Sequence, residues 1–217
     1  MNKSVFSLID ELRQNKNLSD EDFSRLYHER TPQTDAYLYS QADEVRRASY
    51  GNKVFLRGLI EISNICKNDC LYCGIRRSNK NVSRYRLSFE DLMGCCEQGY
   101  KLGFRTFVMQ GGEDAFFTDE VLVEWVSAIK ERFPDCAITL SLGERPRESY
   151  EKLFRAGAER YLLRHETATE AHYAMLHPKE MSLAHRLECL KSLKEIGYQT
   201  GCGVMVGSPG QSWAHLL

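Results

Sequence analysis

The chain contains 217 residues, and its 29 lysines and arginines nearly balance its 30 aspartates and glutamates, for a formal net charge of -1. This balance excludes the basic surface expected of a protein that binds nucleic acid or an anionic membrane. Hydrophobic residues make up 42% of the chain, which is enough to build a core and excludes a wholly disordered protein.

Residues 1–52 have the pattern of a helical extension. Ser4–Asn15 carries apolar residues at helical spacing, Ser19 has the features of an N-cap, and Thr31-Pro32 matches a cap followed by a first-turn proline. The pattern changes after this point. We therefore predict a helical domain over residues 1–52 and a second domain over residues 53–217.

In the second domain, predicted strands alternate with predicted helices, which is typical of β/α units and a parallel sheet. The strands are predicted at Val54–Ile65, Phe104–Gln110, Ala137–Leu142, Glu159–Arg164 and Gln199–Val206. We assign Ile60, Phe107 and Met205 to the inner face. Eight units at this spacing would not fit, so we predict an α/β fold, a partial TIM-type (β/α) barrel of about five units that is truncated at its C-terminus. A complete doubly wound sheet is the alternative.

Eight cysteines in a chain without an export signal or membrane span indicate a reducing, cytoplasmic compartment, where metal or redox roles are more common than disulfides. Cys66, Cys70 and Cys73 form a C-x3-C-x2-C run directly after the first predicted strand. Three thiolates on one loop can hold a 4Fe–4S cluster and leave one iron open for another ligand. A zinc site completed by a distant histidine is the alternative, because structural zinc usually takes four ligands.

This spacing, with the aromatic Tyr72 just before the third cysteine, resembles the radical S-adenosylmethionine (SAM) enzymes. The resemblance implies a full or partial barrel with the 4Fe–4S cluster on the loop after the first strand and with the open iron bound to SAM. It also implies that an external donor supplies electrons under anaerobic conditions, and that SAM is cleaved to a 5'-deoxyadenosyl radical.

Wider similarity points to a biotin-synthase-like group of this family, the group of the iron–iron hydrogenase maturase HydE and methylornithine synthase. The segments that carry it include QGGED, TLSLGE, RYLLRHETA and TGCGVMVGSPGQ. The resemblance implies a small-molecule or iron-complex substrate in assembly of the hydrogenase active-site cluster, with other maturation proteins as partners. A methylornithine-synthase-like mutase or a biotin-synthase-like enzyme is the alternative within the family. A non-catalytic metal-binding domain is the alternative outside it.

The segment Gly111–Asp114 follows the second predicted strand. Glycines allow the backbone to approach a ligand closely, and a carboxylate can accept hydrogen bonds from an ammonium group. A tight turn with a helix-capping acid is the alternative. The family resemblance implies cofactor-binding roles for Tyr72, Gly111, Gly112, Glu113 and Asp114, for Glu166 at the SAM ribose or methionyl group, and for Arg186 at the SAM carboxylate.

Ser141 and Glu144 end the third predicted strand, at the edge where barrel enzymes keep their chemistry. Strand alternation places Arg164 and Glu166 on one face, where they either bind a zwitterion or pair with each other. The resemblance implies that Ser141 contacts the substrate, and we group Glu144 and Arg164 with it. A packing role for Ser141 and a solvated loop position for Glu144 are the alternatives. No residue is assigned to acid–base catalysis.

Overall fold

The computed structural model of the chain describes residues 3–216. It contains two compact units: one takes in the residues up to Phe55 together with the segment that begins at Ser212, and the other spans Leu56–Gln211. Within residues 3–216, no helix is long and apolar enough to cross a membrane. The domain boundary predicted between residues 52 and 53 stays a prediction.

The first unit consists of helices, as its residue pattern predicts. They are α1 (Val5–Asn15), α2 (Asp20–His28), α3 (Pro32–Tyr50) and a 3₁₀ helix (Trp213–His215). Both predicted caps are confirmed, because the Ser19 hydroxyl accepts from the amide of Asp22 and the Thr31 hydroxyl accepts from that of Thr34. The buried apolar side chains of this unit are Leu8, Ile9, Leu18 and Leu26.

The second unit is built on one parallel sheet. Its strands are β1 (Gly58–Ser63), β2 (Thr106–Gly111), β3 (Ala137–Ser141), β4 (Ala158–Leu162) and β5 (Gln199–Gly201). Each strand pairs with the next one along the chain. The helices of this unit are α4 (Phe89–Lys101), α5 (Asp119–Arg132), α6 (Arg147–Arg155), α7 (Glu170–Leu176) and α8 (Leu183–Ile196).

The order of the strands separates the two predicted architectures. In a doubly wound sheet the order reverses at a switch point, whereas the strands of a barrel are added in one direction. Here the order runs from β1 to β5 without reversal, and right-handed crossovers then place the helices on one face. The chain therefore has the predicted α/β fold of a partial (β/α) barrel, with five parallel strands in one open sheet.

The apolar core lies between this sheet and its helices. Ile60 and Phe107 are only 6% and 1% exposed, and the Phe107 ring lies 5.9 Å from that of Phe133 at the end of α5. The prediction that Ile60 and Phe107 point into the barrel is therefore wrong. The inner face carries Glu61 and Gln110 instead, which are paired in register. Consecutive apolar residues in β2 hide the alternation, as is common in parallel sheets that are buried on both faces.

All five strands are shorter than predicted, β1 and β5 by the most, and one helix was not predicted. β1 begins at Gly58 rather than Val54, which is 82% exposed. β5 ends at Gly201, so Met205 lies beyond the sheet and is half-buried. The unpredicted helix α7 follows β4, and its C-terminal end contacts the cysteine loop through a hydrogen bond from the Leu71 amide to the Leu176 carbonyl.

Candidate functional site

The predicted site residues lie where the strands of the second unit end. The cysteines follow β1, the glycine pair ends and follows β2, Ser141 ends β3, and Glu166 follows β4. Because parallel strands place their carboxyl ends at the same edge of a sheet, these loops converge although they are far apart in the sequence. Arg186 joins them from the first turn of α8.

Cys66, Cys70 and Cys73 are half-buried thiols that form no disulfide. Burial, and to a lesser degree the neighbouring Cys66 and Cys73, raise the pKa of Cys70 to about 11, while Tyr72 and Arg186 oppose the rise. In residues 3–216, no three His, Cys, Asp or Glu side chains surround a point where a single metal ion could sit. Thiolates that bind three different irons need no such common point. Cysteine thiolates are the ligands that iron–sulfur clusters take, so the donor set of this loop fits a 4Fe–4S cluster.

Arg84 holds the end of the cysteine loop in place. Its guanidinium donates to the backbone carbonyl oxygens of Asn64, Ile75, Arg76 and Asn79. The planar fork of arginine can serve several acceptors at once, which suits an irregular loop whose carbonyls have no strand partners. Sequence reasoning missed this residue because an isolated arginine after the motif has no distinctive spacing.

Gly112 allows the loop after β2 to pack directly on the cysteine loop. A Cβ atom at this position would lie 2.3 Å from the carbonyl oxygen of Ile65 and 2.6 Å from Cβ of Cys66. The next amide, that of Glu113, lies 3.4 Å from the sulfur of Cys66 and donates to it. Gly112 thus makes the close approach that was expected of these glycines, but the group it approaches is the protein backbone. Their predicted contact with SAM stays a prediction.

The carboxylate of Asp114 is occupied by protein partners. Arg86 binds it with two hydrogen bonds of 2.7 and 2.9 Å, and the Ser63 hydroxyl donates to it at 2.8 Å. Burial opposes ionisation, but these donors and the Phe116 amide hold the pKa of Asp114 below its usual value. The geometry of Asp114 therefore fits an acid that holds a turn, the alternative given above, better than it fits a ligand contact.

Glu113 connects the loops that follow the first three strands. One of its carboxylate oxygens lies 3.1 Å from the ammonium of Lys67, and the other accepts from the amide of Glu144 at 3.0 Å. Gly143 leaves room for this carboxylate, since a Cβ atom there would lie 2.2 Å from Cγ of Glu113. Gly143 also has φ of +75°, which glycine adopts without strain. Both observations explain the glycine in the SLGE segment.

Arg186 is the most enclosed cation of the site and is 7% exposed. Its Nε donates to a carboxylate oxygen of Glu144 at 2.5 Å, and its Nη1 donates to the carbonyl oxygen of Arg164 at 2.8 Å. Burial alone would lower the pKa of Arg186, but the adjacent Glu144 and the other groups around it raise it. The structure thus pairs Glu144, a predicted substrate contact, with Arg186, a predicted cofactor contact.

Glu166 is 8% exposed and has φ of +66°, an uncommon backbone conformation for a residue other than glycine. Its carboxylate lies 3.6 Å from Nε of Arg164, so the two residues form a long ion pair. They do not share a strand face as predicted, because β4 ends at Leu162. A backbone bridge between Glu166 and Val204 helps to fix this position.

Two further predicted residues lie at the same edge. Ser141 is the last residue of β3, is half-buried, and pairs in register with Gln110 on the inner face. The hydroxyl of Tyr72 lies 3.1 Å from Nε2 of His177, a buried histidine that sequence reasoning missed because its spacing to other histidines matches no metal site.

Two buried polar atoms at the site have no hydrogen-bond partner within residues 3–216: the hydroxyl of Tyr173 and Nδ1 of His165. Burial raises the pKa of Tyr173 to about 12, and nearby Arg186 opposes this rise. Burial lowers the pKa of His165, and Arg186 lies near it as well. Buried polar groups are nearly always paired in proteins, so these atoms fit a site that receives a polar ligand.

Comparison with known proteins now identifies the family. Residues 60–217 match the model of the radical SAM superfamily. The chain belongs to this superfamily. Members of the superfamily bind a 4Fe–4S cluster and SAM, which agrees with the expected cofactors.

Individual relatives show which members of the superfamily this chain resembles. The chain is 49% identical, over 81% of its length and 49% of the relative, to the FeFe hydrogenase maturase subunit HydE of Thermotoga maritima. It is 31% identical, over 88% of its length and 54% of the relative, to the 3-methylornithine synthase of Methanosarcina acetivorans. A crystal structure of methylornithine synthase matches 92% of this chain and 59% of that chain, with 29% identity and a TM-score of 0.84. The chain thus spans about half the length of the curated relatives it matches.

Proposed function

We propose that this chain is the cluster- and SAM-binding part of a radical SAM enzyme. The observation that carries the proposal is the convergence of three half-buried cysteines with the buried Arg186 and Glu166 at one edge of the sheet. Three thiolates leave one iron of a 4Fe–4S cluster for an outside ligand, and paired charges of both signs suit the zwitterionic end of SAM. When bound, the cluster supplies the electron that cleaves SAM.

In this proposal Cys66, Cys70 and Cys73 hold the cluster, and the other residues bind and orient SAM. Arg186 presents its guanidinium to the SAM carboxylate, because a planar fork suits this group. Glu144, through its contact with Nε, keeps that guanidinium in place.

Two further carboxylates have different roles in the proposal. Glu166 binds the ribose or the amino group of SAM, and its buried carboxylate beside Arg164 supports this role. Asp114 is assigned to holding the loop after β2, because Arg86 and Ser63 occupy its carboxylate. Ser141 and Arg164 are left for the substrate, further along the inner rim.

For the complete protein we propose the activity of a HydE-type hydrogenase maturase. The identity to that relative, higher than to methylornithine synthase, supports this choice. The proposal includes a small-molecule or iron-complex substrate, an external electron donor and other maturation proteins as partners. A methylornithine-synthase-like mutase is the second candidate, supported by the close match of the two folds. Turnover assays with the complete protein and each substrate class distinguish the two.

Anaerobic reconstitution with iron and sulfide tests the proposed cofactor site. The wild-type protein should become brown and bind about four irons per chain, and the Cys66/Cys70/Cys73→Ala variant should bind none. Cys95→Ala and Cys202→Ala, which replace exposed cysteines outside the loop, are matched controls and should bind as much iron as the wild type. A colourless protein that binds zinc would instead support the non-catalytic metal-binding domain.

The division of the site between SAM and substrate has its own test in the complete protein. Arg186→Lys should weaken SAM binding by about tenfold or more at unchanged iron content, because hydrogen bonds to charged groups contribute about 1.5–3 kcal/mol. Ser141→Ala should leave SAM affinity unchanged but reduce turnover of the substrate. Equal losses of SAM affinity in the two variants would contradict this division.

A further inference from the structure

The backbone turn at residues 143–145 sets the direction of a charged side chain in the site. We name these residues the Glu144 turn. Nε of Arg186 donates to the carboxylate of Glu144 at 2.5 Å, so the position of the guanidinium depends on the position of this turn. Gly143 begins the turn with φ of +75°, and glycine restricts the backbone less than any other residue does. Contacts with other groups therefore have to hold the turn in this conformation.

Two buried tyrosines bind the backbone of the turn on either side of Glu144. The hydroxyl of Tyr161, in β4, donates to the carbonyl oxygen of Gly143 at 2.9 Å. The hydroxyl of Tyr150, in α6, accepts from the amide of Arg145 at 2.9 Å. These atoms belong to the two peptide groups that flank Glu144. The two bonds therefore fix the backbone of this residue from both sides and, with it, the direction in which its side chain leaves the turn.

The same core contains a third tyrosine that does not bind the turn. Tyr150 and Tyr161 are 0% and 1% exposed, and their rings meet edge to face with centroids 5.1 Å apart. The ring of Tyr198 packs against that of Tyr161 at 5.8 Å and is 5% exposed. Its hydroxyl donates to the carbonyl oxygen of Tyr150 at 2.8 Å, which belongs to α6 and not to the Glu144 turn. Tyr198 thus shares the burial and packing of the other two tyrosines without their contact.

We propose that Tyr150 and Tyr161 are positioning residues that aim the carboxylate of Glu144 at Arg186 and thereby place the guanidinium for the carboxylate of SAM. This inference rests on the proposed function, since it assigns Arg186 to SAM. Neither tyrosine touches SAM in this role, and each acts through the backbone of the Glu144 turn. Their contribution matters because a charge-assisted hydrogen bond weakens steeply when its donor is out of line with the acceptor.

The affinity of the reconstituted protein for SAM, measured by anaerobic equilibrium dialysis, tests the inference. Tyr161→Phe keeps the ring in the core and removes the bond to Gly143. We expect it to bind as much iron as the wild type but to bind SAM on the order of fivefold more weakly, as for one lost hydrogen bond. Tyr198→Phe is the matched control, because it removes a comparably buried hydroxyl that does not contact the turn. It should lower the melting temperature about as much as Tyr161→Phe does but keep the wild-type affinity for SAM.

A double-mutant cycle with Glu144→Ala separates positioning from a general loss of stability. Without the Glu144 carboxylate, Tyr161→Phe should weaken SAM binding no further. An additional loss in the double variant, or equal SAM affinities of Tyr161→Phe and Tyr198→Phe, would overturn the inference. Should Tyr161→Phe fail to fold, Tyr150→Phe takes its place in the cycle, because it removes the other bond to the turn. A wild-type protein whose cluster assembles but does not bind SAM, or an Arg186→Lys variant that binds SAM as tightly as the wild type, would instead refute the proposed function.

Discussion

Replacement of Gly112 by alanine should separate the loop after β2 from the cysteine loop. The added Cβ atom would lie 2.3 Å from the carbonyl oxygen of Ile65 and 2.6 Å from Cβ of Cys66. Ordinary contacts need about 1 Å more, and the atoms in the way belong to the backbone or its first side-chain atom, so no rotamer change relieves the clash. Overpacking of this kind costs about 1–3 kcal/mol.

The same displacement should reduce both cluster assembly and reactivity. It would lengthen the hydrogen bond from the Glu113 amide to the Cys66 sulfur, which measures 3.4 Å. A misplacement of about 1 Å in a reactive site can lower a rate on the order of a hundredfold. We therefore expect Gly112→Ala to have a lower melting temperature, to retain less iron after reconstitution, and to cleave SAM about a hundredfold more slowly.

Gly74→Ala is the matched control, because a Cβ atom at Gly74 would meet nothing within 4 Å. Gly111→Ala should be intermediate, since its nearest contact would be the Ser63 carbonyl oxygen at 3.1 Å. Thermal unfolding, iron content and SAM cleavage should therefore rank the three variants in the order of these distances. Gly112→Ala with the iron content and melting temperature of Gly74→Ala would refute the reasoning.

Two further predictions concern polar networks. Arg84→Lys should speed the loss of iron to a chelator, because one ammonium cannot serve four separated carbonyl oxygens, and each lost hydrogen bond costs about 1 kcal/mol. Equal rates of iron loss would contradict this role. Burial favours a higher pKa for Asp119, but hydrogen bonds from Ser149, Lys152 and Arg145 outweigh it and lower the pKa from 3.8 to about 2. The depressed pKa stabilises the fold by about 2 kcal/mol above pH ~4, and this is lost as the pH falls through about 2. Urea unfolding should therefore show Asp119→Asn to be less stable at pH 6, with the difference vanishing near pH 2.

The amino-acid sequence by itself determined the features that depend on near neighbours in the chain. The caps at Ser19 and Thr31 were predictable, because a cap hydroxyl binds an amide three residues away. The C-x3-C-x2-C run was equally readable, since its chemistry depends on three thiolates that share one loop. The alternation of strands and helices was sufficient to predict parallel β/α units, and the strand order of the structure then distinguished the partial barrel from a doubly wound sheet.

Only the tertiary structure decided which polar groups meet. Several arginines and carboxylates follow the strands, and nothing in their spacing pairs Glu144 with Arg186, which lies 42 positions further along the chain. Spacing likewise does not predict that Arg86 forms an ion pair with the carboxylate of Asp114. Such pairings depend on which loops the parallel sheet brings to one edge and on which carboxylate is desolvated beside which cation. For a related reason the sequence did not show on which face of the sheet Phe107 lies. Three consecutive apolar residues of β2 are all buried, so the alternation of apolar and polar residues does not indicate which side chains face the helices.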